Sequence, residues 1–376
     1  MIDKKFNVLY VIGTRPEVIR SAMILKEFEK FENISVKVLN TMQHYDRSMM
    51  GDLISELNLP PIDFSFEIDT SPSTIRFSSL ILNTVRILLE ESFDAVIVYG
   101  DTDSSLAAAL AAIKCSVRVI HIEAGCRSGD SRMQEEKNRR AIDQISDLLL
   151  SVSDYSTSNL SNEKVLGKVF NTGDPQYDVF LKSKPHSSVK LARSLDCLVT
   201  LHRSENVDNS KFIEEVISEF RSLNERFGLT FSWSVHPRIS DFLSGFVLEN
   251  DLQGIVNFIS PMTYAETLLK LSSVQFCITD SGGLQKEAYW LETPCITVRP
   301  STEWYETVEL RANTLAISAS DVFDKVSNIM NKLNEEPQWG HNPYGDKGSS
   351  YRVVEAISQW FREEPTNIHD MNRLTL

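Results

Sequence analysis

The sequence predicts an α/β chain made of two doubly wound halves. Three observations lead there. Short β-branched runs alternate with longer amphipathic segments along the chain, and polar clusters rich in Gly, Asp, Glu, His and Arg close the strand-like runs. The length, 376 residues, is about 2.5 times that of an ordinary domain. In open α/β sheets ligands bind outside the carboxyl ends of the strands. The simplest arrangement therefore sets two carboxyl edges across one cleft.

In the first half, Phe6–Ile12, Ile34–Thr41, Ala95–Gly100, Val117–Glu123 and Leu148–Ser153 read as strands buried on both faces, because they are short apolar runs. Helices are expected at Pro16–Phe31, Thr74–Glu90 and Ser104–Lys114. A basic-to-polar stretch, 182–188, reads as an inter-domain connection. The second half repeats the alternation, with strands at Cys197–His202, Thr230–Val235, Ile255–Ile259, Gln275–Thr279 and Cys295–Val298. Its helices are expected at Lys211–Phe227, Tyr264–Leu271 and Gly283–Leu291, and Ser350–Phe361 forms a last amphipathic helix.

Composition excludes several classes. The 38 Lys and Arg against 52 Asp and Glu give a net charge of −14, which argues against a nucleic-acid backbone or an anionic membrane as the main partner. The 5 cysteines are widely spaced and lack CxxC or Cys/His ligand spacing, so neither a disulfide framework nor a zinc site is expected. No 18-residue apolar run occurs, and a cytoplasmic location is expected.

The clusters carry the chemistry. Gly13-Thr14-Arg15-Pro16 joins a strand to a helix, with Gly13 permitting the turn and Thr14 capping; Arg15 and Arg20 add donors for a phosphate at the helix N-terminus. Asp280-Ser281-Gly282-Gly283 repeats the device: the glycines admit a diphosphate to the backbone, and Glu287 accepts from ribose hydroxyls. Neither cluster has GxGxxG or P-loop spacing, so a nucleotide diphosphate is favoured over NAD or ATP chemistry. Asp101 and Glu123 end apolar runs, where loss of water favours the neutral acid and prepares it for proton transfer. Glu135 and Glu136 follow; the same pair is also compatible with ordinary helical ion pairs to Arg139 and Arg140. Asp101 and Asp103 have DxD spacing for a divalent ion, but Asp103 is better placed to cap the next helix. His202 and His236 end strands beside Arg203 and Arg238, which points to phosphate contact. Trp304 and Tyr305 either line the nucleotide pocket or pack.

Taken in order, Gly13-Thr-Arg-Pro-Glu-Val-Ile-Arg20, Gln43-His44, Gly100-Asp-Thr102, His121-Ile-Glu-Ala-Gly125, Glu135-Glu-x-Asn-Arg139, His202-Arg-x-Glu-Asn206, Thr279-Asp-Ser-Gly-Gly-x-Gln-x-Glu-Ala288 and His341-Asn-Pro-Tyr-Gly-Asp346 resemble the non-hydrolysing UDP-N-acetylglucosamine 2-epimerases. The match runs from about residue 6 to residue 361. The resemblance implies a glycosyltransferase-B type fold with residues 1–174 and a C-terminal helix at about 351–366 in one domain and 175–350 in the other. It implies a homodimer that needs neither metal nor redox cofactor, acting on a UDP-sugar by anti elimination of UDP to a 2-acetamidoglucal and re-addition.

Carried over by position, Asp101, Glu123 and Glu135 match acids implicated in C2 proton transfer and in stabilising the cationic transition state. His202 matches the histidine at the departing diphosphate. Arg15, Ser281, Gly282, Gly283 and Glu287 match UDP contacts, with Arg20 where many relatives carry Lys. Gln43, Glu136 and Arg203 match part of an allosteric UDP-sugar site, although Asp46 replaces its Gln. Gln134 replaces a usual Pro, Trp304 stands where several relatives have Arg, and Arg311 stands where Gly is common; Met262 and Thr267 differ near the uracil. A modified hexosamine or uronic acid as substrate, or a UDP-sugar glycosyltransferase, are the alternatives.

Overall fold

The computed structural model of the chain describes residues 5–42, 57, 59–67, 69–185, 193–235, 240–332 and 339–364. Its contacts divide the chain into two compact units, Met1–Lys182 with Pro343–Leu376, and Ser183–Asn342.

The first unit runs β1 (Phe6–Ile12), α1 (Arg15–Phe28), β2 (Ile34–Asn40), β3 (Phe64–Ser65), α2 (Ser73–Glu90), β4 (Ala95–Tyr99), α3 (Asp103–Lys114), β5 (Arg118–Ala124), α4 (Gln134–Ile145), β6 (Leu148–Ser151), α5 (Asp154–Glu163), β7 (Lys168–Asn171) and α6 (Pro175–Ser183). Seven strands form one parallel sheet in the order β3-β2-β1-β4-β5-β6-β7. Strands β4 and β5 are buried at every position, as expected of a parallel sheet covered on both faces. The order reverses between β1 and β4, where Tyr10 pairs with Ile97. That switch point is where an open sheet leaves a crevice.

The second unit runs β8 (Ser194–Thr200), α7 (Ser204–Val207), α8 (Ser210–Phe227), β9 (Thr230–Ser234), α9 (Ser240–Glu249), β10 (Val256–Ile259), α10 (Tyr264–Ser273), β11 (Val274–Thr279), α11 (Gly282–Trp290), β12 (Cys295–Thr297), α12 (Tyr305–Glu309), β13 (Asn313–Leu315) and α13 (Ala319–Asn331). Its parallel sheet has the order β10-β9-β8-β11-β12-β13, with the switch between β8 and β11. Phe220 of α8 stacks on Phe231 of β9 at 3.9 Å inside the core. No described helix is long and apolar enough to cross a membrane, and all five cysteines are free.

The final helix, α14 (Ser349–Glu363), packs on the first unit. Phe361 stacks on Phe6 at 4.3 Å, and the Arg118 guanidinium lies 4.6 Å from the Trp360 ring. Asp178 of α6 accepts from the N–H groups of Gly348 (2.6 Å) and Ser350 (2.7 Å), satisfying the start of α14. Those bonds tie α6 to the first unit, whereas the sequence reading began the second domain at 175.

Several expected boundaries move. Helix α1 stops at Phe28 rather than Phe31, because Lys30 and Phe31 donate three residues back and tighten the chain into a turn. Strand β8 ends at Thr200 rather than His202, because the N–H groups of His202 and Arg203 turn to the Asp280 carboxylate. Asp103 is not the cap of α3. Thr102 is, accepting from Ser105 N–H at 3.2 Å, while Asp103 opens the first turn.

Candidate active site

In the first unit the chemistry gathers at the switch point. Gly13 does not need a left-handed backbone; it needs space, since a Cβ there would lie 2.3 Å from Thr41 Oγ1 and 2.5 Å from Ser104 Oγ. Those two hydroxyls are hydrogen-bonded to each other at 2.6 Å. Beneath the loop lies Glu17, a buried carboxylate that the sequence reading did not single out. It accepts from the N–H groups of Gly13 (2.7 Å) and Thr14 (2.8 Å) and from Thr102 Oγ1 (2.6 Å), so one side chain ties the β1 turn to the β4 turn. Burial pushes its carboxyl up against the pull of those donors. Arg15 opens α1, half-buried.

Arg20 reaches across to Glu123, where its Nη1 alone lies 2.7 Å from both carboxylate oxygens. The guanidinium also sits 5.1 Å from the Tyr99 ring centre. Glu123 has φ +70°, a left-handed backbone that costs an L-residue energy and places this carboxylate where β5 alone would not. Asp101 is bound by Arg139, and Asn138 donates to the Asp101 carbonyl at 2.9 Å. Gln134, where the resemblance leads one to expect Pro, in turn donates to Asn138 Oδ1 at 3.1 Å and so steadies the residue that holds the Asp101 carbonyl.

The expected i,i+4 pairing is half realised. Glu136 pairs with Arg140 at 2.9 Å and is buried, also accepting from Ser128 N–H at 2.9 Å. Arg139 goes to Asp101 instead of Glu135. Among the described residues Glu135 makes no ion pair or hydrogen bond and is half-buried.

The second unit builds its own cluster at the β8/β11 switch point. Asp280 lies at the end of β11, fully buried, and takes His202 Nδ1 at 2.8 Å, Asn206 Nδ2 at 2.9 Å and the N–H groups of His202 and Arg203. Burial opposes its charge, but these donors outweigh it and hold the carboxyl below its ordinary value. An ionised Asp280 fixes the proton of His202 on Nδ1, leaving Nε2 on a ring that is 50% exposed. The sequence places Asp280 in a turn; the structure makes it the acceptor that orients His202.

Ser281 is the N-cap position of α11, and Gly282 and Gly283 open it half-buried. A Cβ on Gly282 would lie 2.6 Å from Glu303 Oε1. Trp304 is buried with Lys286 Nζ 3.6 Å from its ring centre, while Tyr305 is exposed. Glu287 is buried on α11, and the Arg203 Nε donates to the Asp280 carbonyl at 3.1 Å. Arg311 has φ +60°, a conformation that favours Gly. Gln43, Asp46 and His236 lie outside the described residues. No group of three or more His, Cys, Asp or Glu gathers as for a metal among the described residues.

A family model described as UDP-N-acetylglucosamine 2-epimerase matches residues 26–358. The chain is 34% identical over 366 residues to a UDP-N-acetylglucosamine 2-epimerase of Methanocaldococcus jannaschii, covering 93% of this chain and 98% of that one. It is 32% identical over 360 residues to a UDP-2,3-diacetamido-2,3-dideoxy-D-glucuronate 2-epimerase of Pseudomonas aeruginosa, covering 94% and 99%. Among solved structures, M. jannaschii UDP-GlcNAc 2-epimerase in complex with UDP-GlcNAc and UDP matches with TM-score 0.83 at 32% identity, covering 94% of this chain and 99% of that one.

Proposed function

Because the chain belongs to the UDP-N-acetylglucosamine 2-epimerase family, we propose that it inverts C2 of UDP-N-acetylglucosamine, interconverting it with UDP-N-acetylmannosamine. The C2–H bond is only weakly acidic, so departure of UDP leads. The C1–O bond breaks with its electron pair leaving on UDP, and C2 then gives up its proton to form 2-acetamidoglucal. Return of a proton to the opposite face of C2 and of the UDP oxygen to C1 completes the inversion, with no net change in redox state.

The diphosphate chemistry is assigned to the second unit. Charge developing on the leaving phosphate is met by His202, oriented through Asp280, and by the amides at the start of α11. Proton exchange at C2 is assigned to the first unit. The observation that carries this reading is the unequal pairing of its acids: Asp101 and Glu123 are held by Arg139 and Arg20, whereas Glu135 has no such partner among the described residues. Glu135 takes the C2 proton on one face, and the proton returned to the opposite face comes from water, to which Glu135 releases the one it took; the paired carboxylates face the cationic sugar.

Homodimerisation, a cytoplasmic site of action and supply of N-acetylmannosamine units to a surface polysaccharide belong to the same proposal. Exposed Ile75, Leu82 and Leu89 recur every seventh residue along α2, an apolar stripe suited to a second copy, and the free, mostly buried thiols suit a reducing compartment. The likeness to the P. aeruginosa protein favours a second reading, a UDP-diacetamido-uronate as substrate. Incubation with each sugar nucleotide separately, with products resolved by chromatography, tests both; release of free N-acetylmannosamine would overturn the non-hydrolysing reaction.

A further inference from the structure

A buried histidine that no step above uses stands directly behind both turns that carry the paired acids. His121 of β5 is fully buried, its Nδ1 2.7 Å from Asp143 Oδ1 and its Nε2 2.9 Å from the carbonyl oxygen of Gly100. A carbonyl can only accept, so Nε2 must carry a proton. Asp143 Oδ2 already accepts from Gly125 N–H at 3.1 Å and from Arg127 at 2.7 Å. The Arg127 charge and the Gly125 amide favour the ionised form of Asp143, which also only accepts, so Nδ1 carries a proton too. We propose that His121 is a positioning residue, held as an imidazolium between Asp143 and Gly100, that fixes the turns bearing Asp101 and Glu123.

Asp143 agrees with this assignment. Burial alone would raise its carboxyl, but the His121 ring and the Arg127 guanidinium hold it below its ordinary value. Charge balance agrees as well. From Asp143 the ion pairs continue through Arg127 to Glu163, from Glu163 through Arg140 to Glu136, and from Glu136 through Arg139 to Asp101. With His121 charged, the path counts four cations (His121, Arg127, Arg140, Arg139) against four anions (Asp143, Glu163, Glu136, Asp101).

The mechanical consequence follows from which atoms are held. Gly100 has φ +71° and precedes Asp101; Glu123 and Gly125 have φ +70° and +82°. A Cβ on Gly125 would lie 2.2 Å from the Ser156 carbonyl oxygen, so this turn is pressed against α5. Strained turns relax unless the surroundings over-determine them. The imidazolium grips the Gly100 carbonyl with one nitrogen, and through Asp143 it grips the Gly125 amide with the other. One side chain therefore sets the separation of two carboxylates on neighbouring strands, and a displacement of about 1 Å at such a site costs ~100-fold in rate.

The catalytic part of this inference rests on the epimerase reading; the protonation part does not. Nitrogen NMR of the full chain with labelled histidine reads both His121 ring nitrogens directly, the resonance being identified by its absence in His121→Gln or its displacement in Asp143→Asn. We expect two protonated nitrogens at neutral pH. In His121→Gln and Asp143→Asn, kcat for the UDP-sugar is expected to fall about 100-fold while KM changes less than about threefold, the split expected of misplaced acids rather than lost binding. A neutral tautomer in the native protein, or a variant lacking His121 with native kcat, overturns the proposal. Should His121→Gln fail to fold, the NMR measurement on the native protein still decides. A native protein that turns over no UDP-sugar but has a doubly protonated His121 sinks the assigned reaction and leaves the clamp standing.

Discussion

Arg20 offers a sharp quantitative test of the first unit's site. In Arg20→Met the nitrogen 2.7 Å from both oxygens of Glu123 is gone, and a carboxylate whose side chain is only 6% exposed loses this ion pair. Breaking one side of a buried pair costs about 3–5 kcal/mol. The Nε bond to the Pro16 carbonyl at 3.3 Å and the contact over Tyr99 at 5.1 Å are lost too, each contributing about 0.5–1 kcal/mol. Arg20→Lys is a different experiment. Because Nη1 alone makes both contacts, the guanidinium fork is not used toward Glu123, and an ammonium can act there as a point charge. It forfeits the Nε bond and part of the ring contact, about 1–2 kcal/mol. Urea denaturation and steady-state kinetics on both variants are expected to rank them wild type, Lys, then Met, with kcat of the Met variant down about 100-fold or more. A Met variant within about 0.5 kcal/mol of wild type and with native kcat would refute the claim that Arg20 holds Glu123 in place.

Three further outcomes follow from the same geometry. Asp280 has its carboxyl held below the ordinary value, so its stabilisation is fully present above about pH 4 and is lost as pH falls through the folded value. Asp280→Asn should therefore cost about 1–3 kcal/mol at neutrality in denaturant titrations, with the gap to wild type closing in acid; a gap independent of pH would contradict the ionised Asp280. Gly13→Ala forces a Cβ to within 2.3 Å of Thr41 Oγ1 and should cost about 1–3 kcal/mol in thermal denaturation; a neutral change would mean that the loop is not close-packed there. Arg311→Gly relieves an exposed left-handed residue at φ +60° and should raise stability by about 0.5–1 kcal/mol; a loss of stability would show that the arginine side chain does more than occupy the turn.

The sheets were legible because their strands are short, mostly apolar and rich in β-branched residues, without the 3.6-residue period of an amphipathic helix; β1 has the expected bounds residue for residue. The elements that escaped are those whose signal is weak or polar. Strand β13 has three residues, and α4 carries its only apolar side chains at Ala141, Ile142 and Ile145 because its buried face is made of Glu136, Asn138, Arg139 and Asp143. That face is polar and charged, which is why hydrophobic periodicity misses it. Asp101, Glu123 and His202 were legible from their place at or just past strand ends, and Glu135 from its place in the Glu-Glu-x-Asn-Arg run. Glu17, Asp280 and the pairing of His121 with Asp143 were not, because each works through contacts with residues far away in sequence. Glu17 reaches Thr102, and Asp280 reaches His202, only because parallel strands that are not consecutive in the chain lie side by side at the switch points.

The central claim is inversion at C2 through loss and return of its proton. Incubating the enzyme with UDP-N-acetylglucosamine in deuterated water and following C2 by NMR tests it most directly. The account predicts UDP-N-acetylmannosamine, deuterium at C2 of product and recovered substrate, and loss of that exchange in Glu135→Gln. Recovery of UDP-N-acetylglucosamine unchanged, with no deuterium at C2 and no UDP-N-acetylmannosamine, would contradict it.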